Sequence, residues 1–205
     1  MATNKNLNRQ SYIDAAFAII SNEGVEKLSM RRVASELGVS AMAMYKHFAN
    51  KDELLSAALD EFAWSSNVFP PDDLPWQEWV AHFGRGMFDA LCGEVSWVPL
   101  LGSIKIGPKA MTITASFIKK LTDSGFSERD AMEAFLTIIQ VVIGAASIQA
   151  SMDFHQKDSP LLASFGQRTD KMSSESKALI QHRQVDIGLP MVIESLARRW
   201  LDSHC

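Results

Sequence analysis

A connection of only three residues, 38–40, separates two short segments that both have the apolar spacing of a helix. Apolar side chains recur every three or four positions over residues 30–37, and Met44 and Phe48 continue that spacing after the connection. Gly38 opens the connection, and glycine readily adopts the positive φ that ends a helix. A helix, a glycine turn and a second short helix form the helix-turn-helix arrangement, which leaves few alternatives for this part of the fold.

Residues that favour helix ends stand at the positions that this interpretation requires. Gly24 follows a first apolar period and predicts a helix end in the left-handed conformation. Ser29 and Ser40 predict the N-caps of the next two helices, and Asn50 with Glu53 has the pattern of a capping box. The sequence therefore predicts four helices up to about residue 62.

The rest of the chain also predicts helices alone, because strand-like alternation of apolar and polar residues is absent. Residues 65–75 contain three prolines and no helical period, so we interpret them as a linker. This linker divides an N-terminal helix-turn-helix domain, residues 1–64, from a larger helical domain, residues 65–205. The predicted fold class is all-α, with a second helix of the helix-turn-helix at about residues 40–48.

The larger domain has two segments with strong helical periods and one without. Apolar side chains predict a long helix over about residues 131–152 and a last helix over about residues 187–201. The polar stretch 153–176 is predicted as a loop with a short apolar turn at residues 160–165.

Composition excludes several classes of protein. The chain has 205 residues, of which 47% are hydrophobic and 21% charged, so it is not wholly disordered. Its formal net charge of −4 excludes a polycation, so any nucleic-acid contact must come from a local patch. Two cysteines, Cys92 and Cys205, are too few for a disulfide framework and fit a reducing cytoplasm.

The sequence shows no pattern typical of a signal peptide or of a membrane-spanning helix. The first nine residues lack the apolar core of a signal peptide. The most apolar window, residues 134–150, is shorter than the roughly 20 apolar residues of a membrane span. We predict a cytoplasmic protein without a membrane-spanning segment, and we interpret this window as a buried helix.

Residues 29–55 resemble the DNA-binding segment of the tetracycline-repressor family of transcriptional regulators, and the similarity extends over about residues 10–62. It rests on the Gly38-Val-Ser turn, the Tyr45-x-x-Phe48 pair and the Asn-Lys-Asp-Glu-Leu-Leu sequence that follows. The resemblance implies a homodimer with about nine or ten helices per subunit. The first three or four helices would bind DNA, and the others would bind an inducer and form the dimer.

The resemblance also implies which side chains contact DNA. Arg31 would reach a base edge or a phosphate, Tyr45 and His47 would contact phosphate or sugar, and Lys51 would lie at a phosphate. By the same resemblance, Ala41, Met42 and Ala43 would face the bases. The full set of predicted DNA-binding residues is Arg31, Ser40, Ala41, Met42, Ala43, Tyr45, Lys46, His47 and Lys51.

Other interpretations of these residues are open at this stage. Tyr45 also suits the edge of a core, His47 and Lys51 also suit a solvated surface, and Arg32 is more typical of a solvated side chain than of a contact. Residues 1–60 hold seven Lys or Arg and seven Asp or Glu, which predicts a moderate salt dependence of DNA binding. Specificity would then depend on Met42, the neighbouring alanines and DNA shape more than on arginine–guanine pairs.

The second domain resembles the ligand-binding domain of the same family, most clearly over residues 121–131 and the helix that follows. The resemblance implies a four-helix dimer bundle formed by the long helix and the last helix with their copies. It also implies a ligand pocket. The predicted ligand-binding residues are Asn67, Phe83, Met87, Leu100, Ser103, Phe117, Phe135, Ile139 and Gln140.

Three of these positions argue against magnesium–tetracycline as the inducer. Leu100 stands where the resemblance places a magnesium-binding histidine, and leucine cannot ligate a metal. Phe83 and Phe117 replace polar drug contacts. We therefore expect a hydrophobic or aromatic inducer, oriented by Asn67, Ser103 or Gln140, and no metal. The alternative is that these side chains only pack a core.

The predicted function is a dimeric one-component transcriptional regulator, most simply a repressor that binds a palindromic operator and is released by an inducer. The main alternative from a different functional class is an enzyme. The five histidines are scattered, and no metalloprotease, P-loop or nucleophile-elbow motif is present, so we predict no catalysis and no cofactor. A helical dimeric interaction module that does not bind DNA is the other alternative, and the zero net charge of residues 1–60 is its only support.

Overall fold

The computed structural model describes residues 7–154 and 183–204, and these residues form helices without any β-strand. The all-α prediction is confirmed. The α-helices are α1 (Arg9–Glu23), α2 (Met30–Glu36), α3 (Ala41–Met44), α4 (Lys51–Ser65), α5 (Trp76–Gly93), α6 (Pro108–Asp123), α7 (Glu128–Phe154) and α8 (Val185–His204). Two 3₁₀ helices span Val25–Lys27 and Val95–Leu100.

Helix α7 extends into the start of the segment predicted as a polar loop, residues 153–176. Residues 153 and 154 still belong to α7, because the helical period of this helix continues to its last described residue. The remainder, with the apolar turn predicted at residues 160–165, lies outside the described residues.

The described chain divides into two compact units. The first unit contains residues up to 67 together with residues 99–113, and the second contains residues 68–98 together with those from 114 onward. Helix α6 begins in the first unit and ends in the second. Residues 99–113, which the linker prediction assigns to the larger domain, therefore pack with the N-terminal unit, and the predicted boundary after residue 64 stays a prediction.

Side-chain caps begin α2 and α4 as the sequence predicts. Ser29 Oγ accepts from the Arg32 amide at 3.1 Å, and Asn50 Oδ1 accepts from the Glu53 amide at 2.9 Å. The Glu53 carboxylate accepts from the Ala49 amide at 2.7 Å, one residue before the cap, so the capping box is shifted by one position. Ser40 is the N-cap of α3, but its side chain makes no capping hydrogen bond.

The helix-turn-helix core is formed by residues from four helices. Helix α1 packs against α2 and α4, and α2 packs against α3. Met44 and Phe48 are 0% and 1% exposed, as their spacing predicts. Gly38 has a φ of 68°, the left-handed value that lets the chain turn from α2 into α3 within three residues. Gly24 also has a positive φ, 90°, but its ψ of 160° lies outside the predicted left-handed helical region.

In the second unit, α5, α7 and α8 all pack against one another. Ion pairs connect them at the surface, from Arg85 on α5 to Asp186 on α8 at 2.9 Å, and from Arg199 on α8 to Glu133 on α7 at 2.9 Å. Trp200 Nε1 also donates to the Ser124 carbonyl at 2.8 Å. These contacts fix the last helix against the two others.

Helix α7 is the one helix of the described chain whose length and apolar character would suit a membrane crossing. Buried core helices have the same properties, but only 33% of its apolar window is buried within a single chain. Its exposed apolar side chains include Met132 and Leu136, and α8 exposes Met191 and Leu201. The two helices predicted to form a dimer bundle therefore both carry uncovered apolar surface.

Candidate DNA-binding surface and aromatic cluster

The outer face of α3 carries the most exposed apolar side chain of the described residues. Met42 is 77% exposed, and Tyr45 directly after the helix is 55% exposed. Lys46 is also exposed, and the alanines on either side of Met42 are half-buried. The inward direction of Met44 forces this arrangement, because a short helix with one buried position must turn the others outward.

Three cations around this face have no ion-pair partner among the residues that the structure describes. Arg31 and Lys46 are exposed, and Lys51 is half-buried. Arg32, by contrast, donates to Glu23 and to Glu36, each at 2.6 Å, and these two carboxylates raise the pKa of its guanidinium.

Three of the seven acids in residues 1–60 form ion pairs with Arg9 or Arg32. Arg9 pairs with Glu53 at 3.2 Å, and the two acids paired with Arg32 are the last residues of α1 and α2. These pairs do not involve Arg31, Lys46 or Lys51, so a segment without net charge can still present cations around α3.

His47 lies at the border of the core. It is half-buried, and its ring centroid is 4.9 Å from that of Tyr12 on α1, with 35° between the rings. Tyr12 also meets Phe48 edge-on at 6.4 Å. The contact with a buried tyrosine holds the His47 ring in place and leaves part of it accessible.

Three of the predicted ligand-binding residues come together in the second unit. The ring centroid of Phe117 lies 5.1 Å from that of Phe83 and 5.3 Å from that of Phe135. Trp79 completes the cluster, stacked on Phe83 at 5.4 Å and edge-on to Phe117 at 5.7 Å. We call Trp79, Phe83, Phe117 and Phe135 the aromatic cluster.

Trp79 was not predicted as a site residue, although its spacing of four from Phe83 on one helix is the signal that places the two rings together. Its indole Nε1 is buried and has no hydrogen-bond partner among the described residues. An unpaired buried donor costs about 1–3 kcal/mol. Such a donor is one to which a bound acceptor oxygen could bond.

The other predicted ligand residues are not part of this cluster. Met87 and Ile139 are half-buried and Gln140 is exposed, all in the second unit. The remaining three belong to the first unit: Asn67 is exposed with a φ of 44°, Leu100 is buried, and Ser103 donates its hydroxyl to the Leu100 carbonyl at 3.0 Å. No group of three metal-binding side chains occurs in the described part of the chain.

Asp60 is the one buried charged residue in the described ranges, 7% exposed, and no sequence pattern marks it as a site residue. Its two carboxylate oxygens accept from the Ala110 amide at 2.8 Å and the Lys109 amide at 3.1 Å, at the start of α6. A carboxylate is favourable there, because the first amides of a helix lack partners and carry partial positive charge. A Cβ on Gly107 would lie 2.3 Å from Asp60 Cγ, so this position requires glycine.

Neighbouring side chains reinforce the attachment. Glu61 accepts from Lys109 Nζ at 2.6 Å, and the Lys109 ammonium and Gln10 lower the pKa of the Glu61 carboxyl. The Ser56 hydroxyl donates to the Lys105 carbonyl at 2.8 Å. We call these contacts between α4 and residues 105–110 the α4–α6 clasp.

Residues 13–58 match the sequence profile of bacterial regulatory proteins of the tetR family. Over nearly its whole length the chain is similar to the tetracycline repressor protein class A from transposon 1721 of Escherichia coli. The two are 25% identical over 207 residues, which cover 95% of this chain and 93% of the repressor.

Solved structures show the same fold. The TetR family protein ActR of Streptomyces coelicolor, in complex with (S)-DNPA, superposes with a TM-score of 0.77 at 22% identity, covering 94% of this chain and 98% of that one. BioQ of Mycobacterium smegmatis has a TM-score of 0.71 at 25% identity, over 94% and 98% of the two chains. A structure of BioQ with its natural double-stranded DNA operator has a TM-score of 0.64 at 24% identity, over 94% and 99%.

Proposed function

Because this chain is a member of the TetR family of transcriptional regulators, we propose that it is a dimeric repressor that binds a palindromic operator and is released by a hydrophobic or aromatic small molecule. The observation that carries the proposal is the face of α3, where exposed Met42 and Tyr45 are bordered by cations without ion-pair partners in the described residues. A structural face of the protein has no need of such an arrangement.

Operator binding uses the nine residues predicted from the sequence. Arg31 binds a base edge or a phosphate, Lys51 binds a phosphate, and Tyr45 and His47 bind phosphate or sugar. Three cations per half-site make six per dimer. At about −0.9 for each phosphate neutralised, the slope of log affinity against log salt concentration should be no steeper than about −5. The two copies of α3 must lie about 34–36 Å apart to meet successive turns of one DNA face.

The dimer forms through α7 and α8. Met132 and Leu136 on α7 and Met191 and Leu201 on α8 are 40–66% exposed in the single chain. Apolar surface on two adjacent helices favours a four-helix bundle with a second copy, because association removes that surface from water.

The inducer binds at the aromatic cluster, together with Met87 and Ile139, which follow Phe83 and Phe135 by four residues on the same helices. An aromatic molecule with an acceptor oxygen suits this environment, since it would replace ring–ring contacts by its own and accept from the Trp79 N–H, which has no partner among the described residues. Magnesium–tetracycline suits it poorly, because Phe83 and Phe117 offer no hydrogen bond.

Release from DNA follows from a shift between two spacings of the recognition helices. The inducer favours one spacing only by as much as it binds that state better. Helix α4 carries the change, and the α4–α6 clasp supports this role because it fixes α4 to the start of the helix that bears Phe117. Substitution of the buried Leu59 or Phe62 should weaken induction without loss of operator affinity, and unchanged induction in both variants would contradict this route.

We further propose that the protein acts in the cytoplasm by binding alone, with no metal, cofactor or catalysis. The alternative is a helical dimer whose helix-turn-helix does not bind DNA. Its support, the zero net charge of residues 1–60, is weakened by the ion pairs that engage Glu23, Glu36 and Glu53.

The test is fluorescence anisotropy with the full chain on fragments from the region upstream of its own gene, beside an unrelated fragment, at several salt concentrations. We expect saturable binding to one fragment, abolished by Tyr45→Ala and retained by Lys119→Ala, which removes an exposed cation of the second unit. Equal binding of all fragments, together with an empty genome-wide selection, would favour the DNA-silent dimer.

A further inference from the structure

Met42 is more exposed than any other large hydrophobic side chain in the described residues. Its neighbours on the helix are Ala41 and Ala43, and Met44 is fully buried. The outer face of residues 41–43 therefore carries no side chain that can donate a hydrogen bond, and only the weakly accepting thioether of Met42. A helix that reads DNA with this face has to discriminate bases by something other than paired hydrogen bonds.

The major groove has one apolar feature that distinguishes bases. Every base pair presents hydrogen-bond donors or acceptors there, but only thymine adds the C5-methyl group. An apolar side chain placed over the cytosine amino group would leave that donor without a partner, which is unfavourable. The same side chain over a thymine methyl removes two apolar surfaces from water.

Methionine suits this contact through its shape. Its unbranched and polarizable side chain adapts to an irregular surface, and the alanines on either side allow the helix to come close to the base edges. The Ser40 hydroxyl, which does not cap α3, and the Tyr45 hydroxyl stand at the two ends of this apolar face. Polar contacts are thus available at its borders and not at its centre.

We infer that Met42 is a specificity-determining residue that reads the C5-methyl group of one thymine in each operator half-site. The inference rests on the proposed function as an operator-binding dimer. Two-fold symmetry then requires the two thymines at symmetry-related positions of the operator. Arg31, Lys46 and Lys51 supply affinity, whereas Met42 supplies the choice of base at its position.

The experiment isolates the methyl group on the DNA. An operator is first selected with the full chain from random double-stranded DNA. Each thymine is then replaced by deoxyuridine, which removes only the methyl, at both symmetry-related positions at once. Affinities are measured for the wild type, Met42→Ala, Met42→Leu and, as a matched control, Met111→Ala, which truncates another exposed methionine of the first unit.

We expect one thymine pair at which deoxyuridine weakens wild-type binding about tenfold, the effect of two lost methyl contacts. Met111→Ala and Met42→Leu keep that sensitivity, because an apolar side chain still covers the methyl. Met42→Ala binds the thymine operator about tenfold more weakly and shows no further loss with deoxyuridine. Because Met42 is exposed, its substitution leaves the fold intact, and thermal melting checks this.

Three results would overturn the inference. If every deoxyuridine substitution leaves wild-type binding unchanged while Tyr45→Ala abolishes it, operator binding stands and thymine reading is wrong. If the loss persists in Met42→Ala, another side chain reads the methyl. If no sequence is selected at all, the proposed function itself fails and the inference fails with it.

Discussion

Around α3 the first unit exposes large side chains, with Met42 77% and Tyr45 55% accessible, whereas Phe83 and Phe117 in the second unit are completely buried. Both regions contain apolar and aromatic residues at helical spacing. The α3 face lies on a four-residue helix with one buried position, and the aromatic cluster is built on the longer helices α5, α6 and α7.

The two regions lack different kinds of binding partner. On the α3 face, apolar surface and cations without an ion-pair partner in the described residues face solvent, so the missing partner is external. In the aromatic cluster, the apolar surface is already buried. One buried donor, Trp79 Nε1, has no hydrogen-bond partner in the described residues. A large polyanion suits the first situation, and a small molecule with an acceptor atom suits the second.

The first prediction concerns the free energy of unfolding, because side chains of the two regions differ in how deeply they are buried. Phe117→Ala should lower the free energy of unfolding by about 3–5 kcal/mol, since it opens a cavity among three other rings. Met42→Ala should change it by no more than about 0.5 kcal/mol, because the side chain is solvated in the folded chain. Urea denaturation measures both, and a similar loss in the two variants would remove the contrast between the regions.

The second prediction concerns operator affinity and the arginines near the α3 face. Arg31→Ala should weaken operator binding by about tenfold to a hundredfold, the loss of one or more charged contacts to DNA, without changing stability. Arg32→Ala should leave operator affinity within about threefold, because its guanidinium is engaged by Glu23 and Glu36. Anisotropy titrations of these adjacent arginines decide the question, and equal losses would mean that the ion pairs of Arg32 open on DNA.

A third effect concerns the polar interior of the first unit. Asp60→Ala should cost about 1–3 kcal/mol of stability, because the half-buried residues Lys109 and Ala110 lose the carboxylate that accepts from their amides. Asp60→Asn should cost less, since its amide oxygen can still accept. Denaturation of both variants beside Asp14→Ala, an exposed carboxylate on α1, measures the difference, and equal stability of all three would show that the clasp does not hold α6.

The smallest effect is on pH dependence at the start of α4. The Ala49 amide, and then Arg9, lower the pKa of the Glu53 carboxyl below its ordinary value of 4.5. A lowered pKa in the folded state means that the contribution of Glu53 is complete above pH 4.5 and is lost as the pH falls through the folded-state pKa.

Glu53→Gln should therefore lose less stability on acidification than the wild type. The difference should stay below about 1 kcal/mol, since the pair with Arg9 is exposed. Thermal melting from pH 7 to pH 3, with Glu78→Gln as a solvent-exposed control, measures it. A steeper acid dependence in Glu53→Gln than in the wild type would reverse the assignment.

The N-terminal part was predictable because its signals are local. Ser29, Gly38 and Asn50 act through hydrogen bonds and dihedral angles within a few residues, and the burial of Met44 and Phe48 follows from helical spacing. The shifted capping box and the unused Ser40 hydroxyl were not predictable, since they depend on which amide each side chain finally reaches.

The candidate ligand site was predictable only in part. The resemblance brought forward Phe83 and Phe117, the apolar pattern added Phe135, and the structure places Phe117 in contact with both other rings. The resemblance gave no indication of Trp79 or of Asp60. The partners of Asp60 lie about fifty positions further along the chain, and no local pattern marks a contact over that distance.

The all-helical fold, the helix-turn-helix and the outward direction of Met42 and Tyr45 can be read from the amino-acid sequence, because periodicity and capping act over one or two helical turns. Which charges are neutralised, which rings meet and where α6 is attached to α4 become visible only in the folded chain. Those outcomes depend on contacts between segments far apart in the chain, and their free energies arise only when packing excludes water around them.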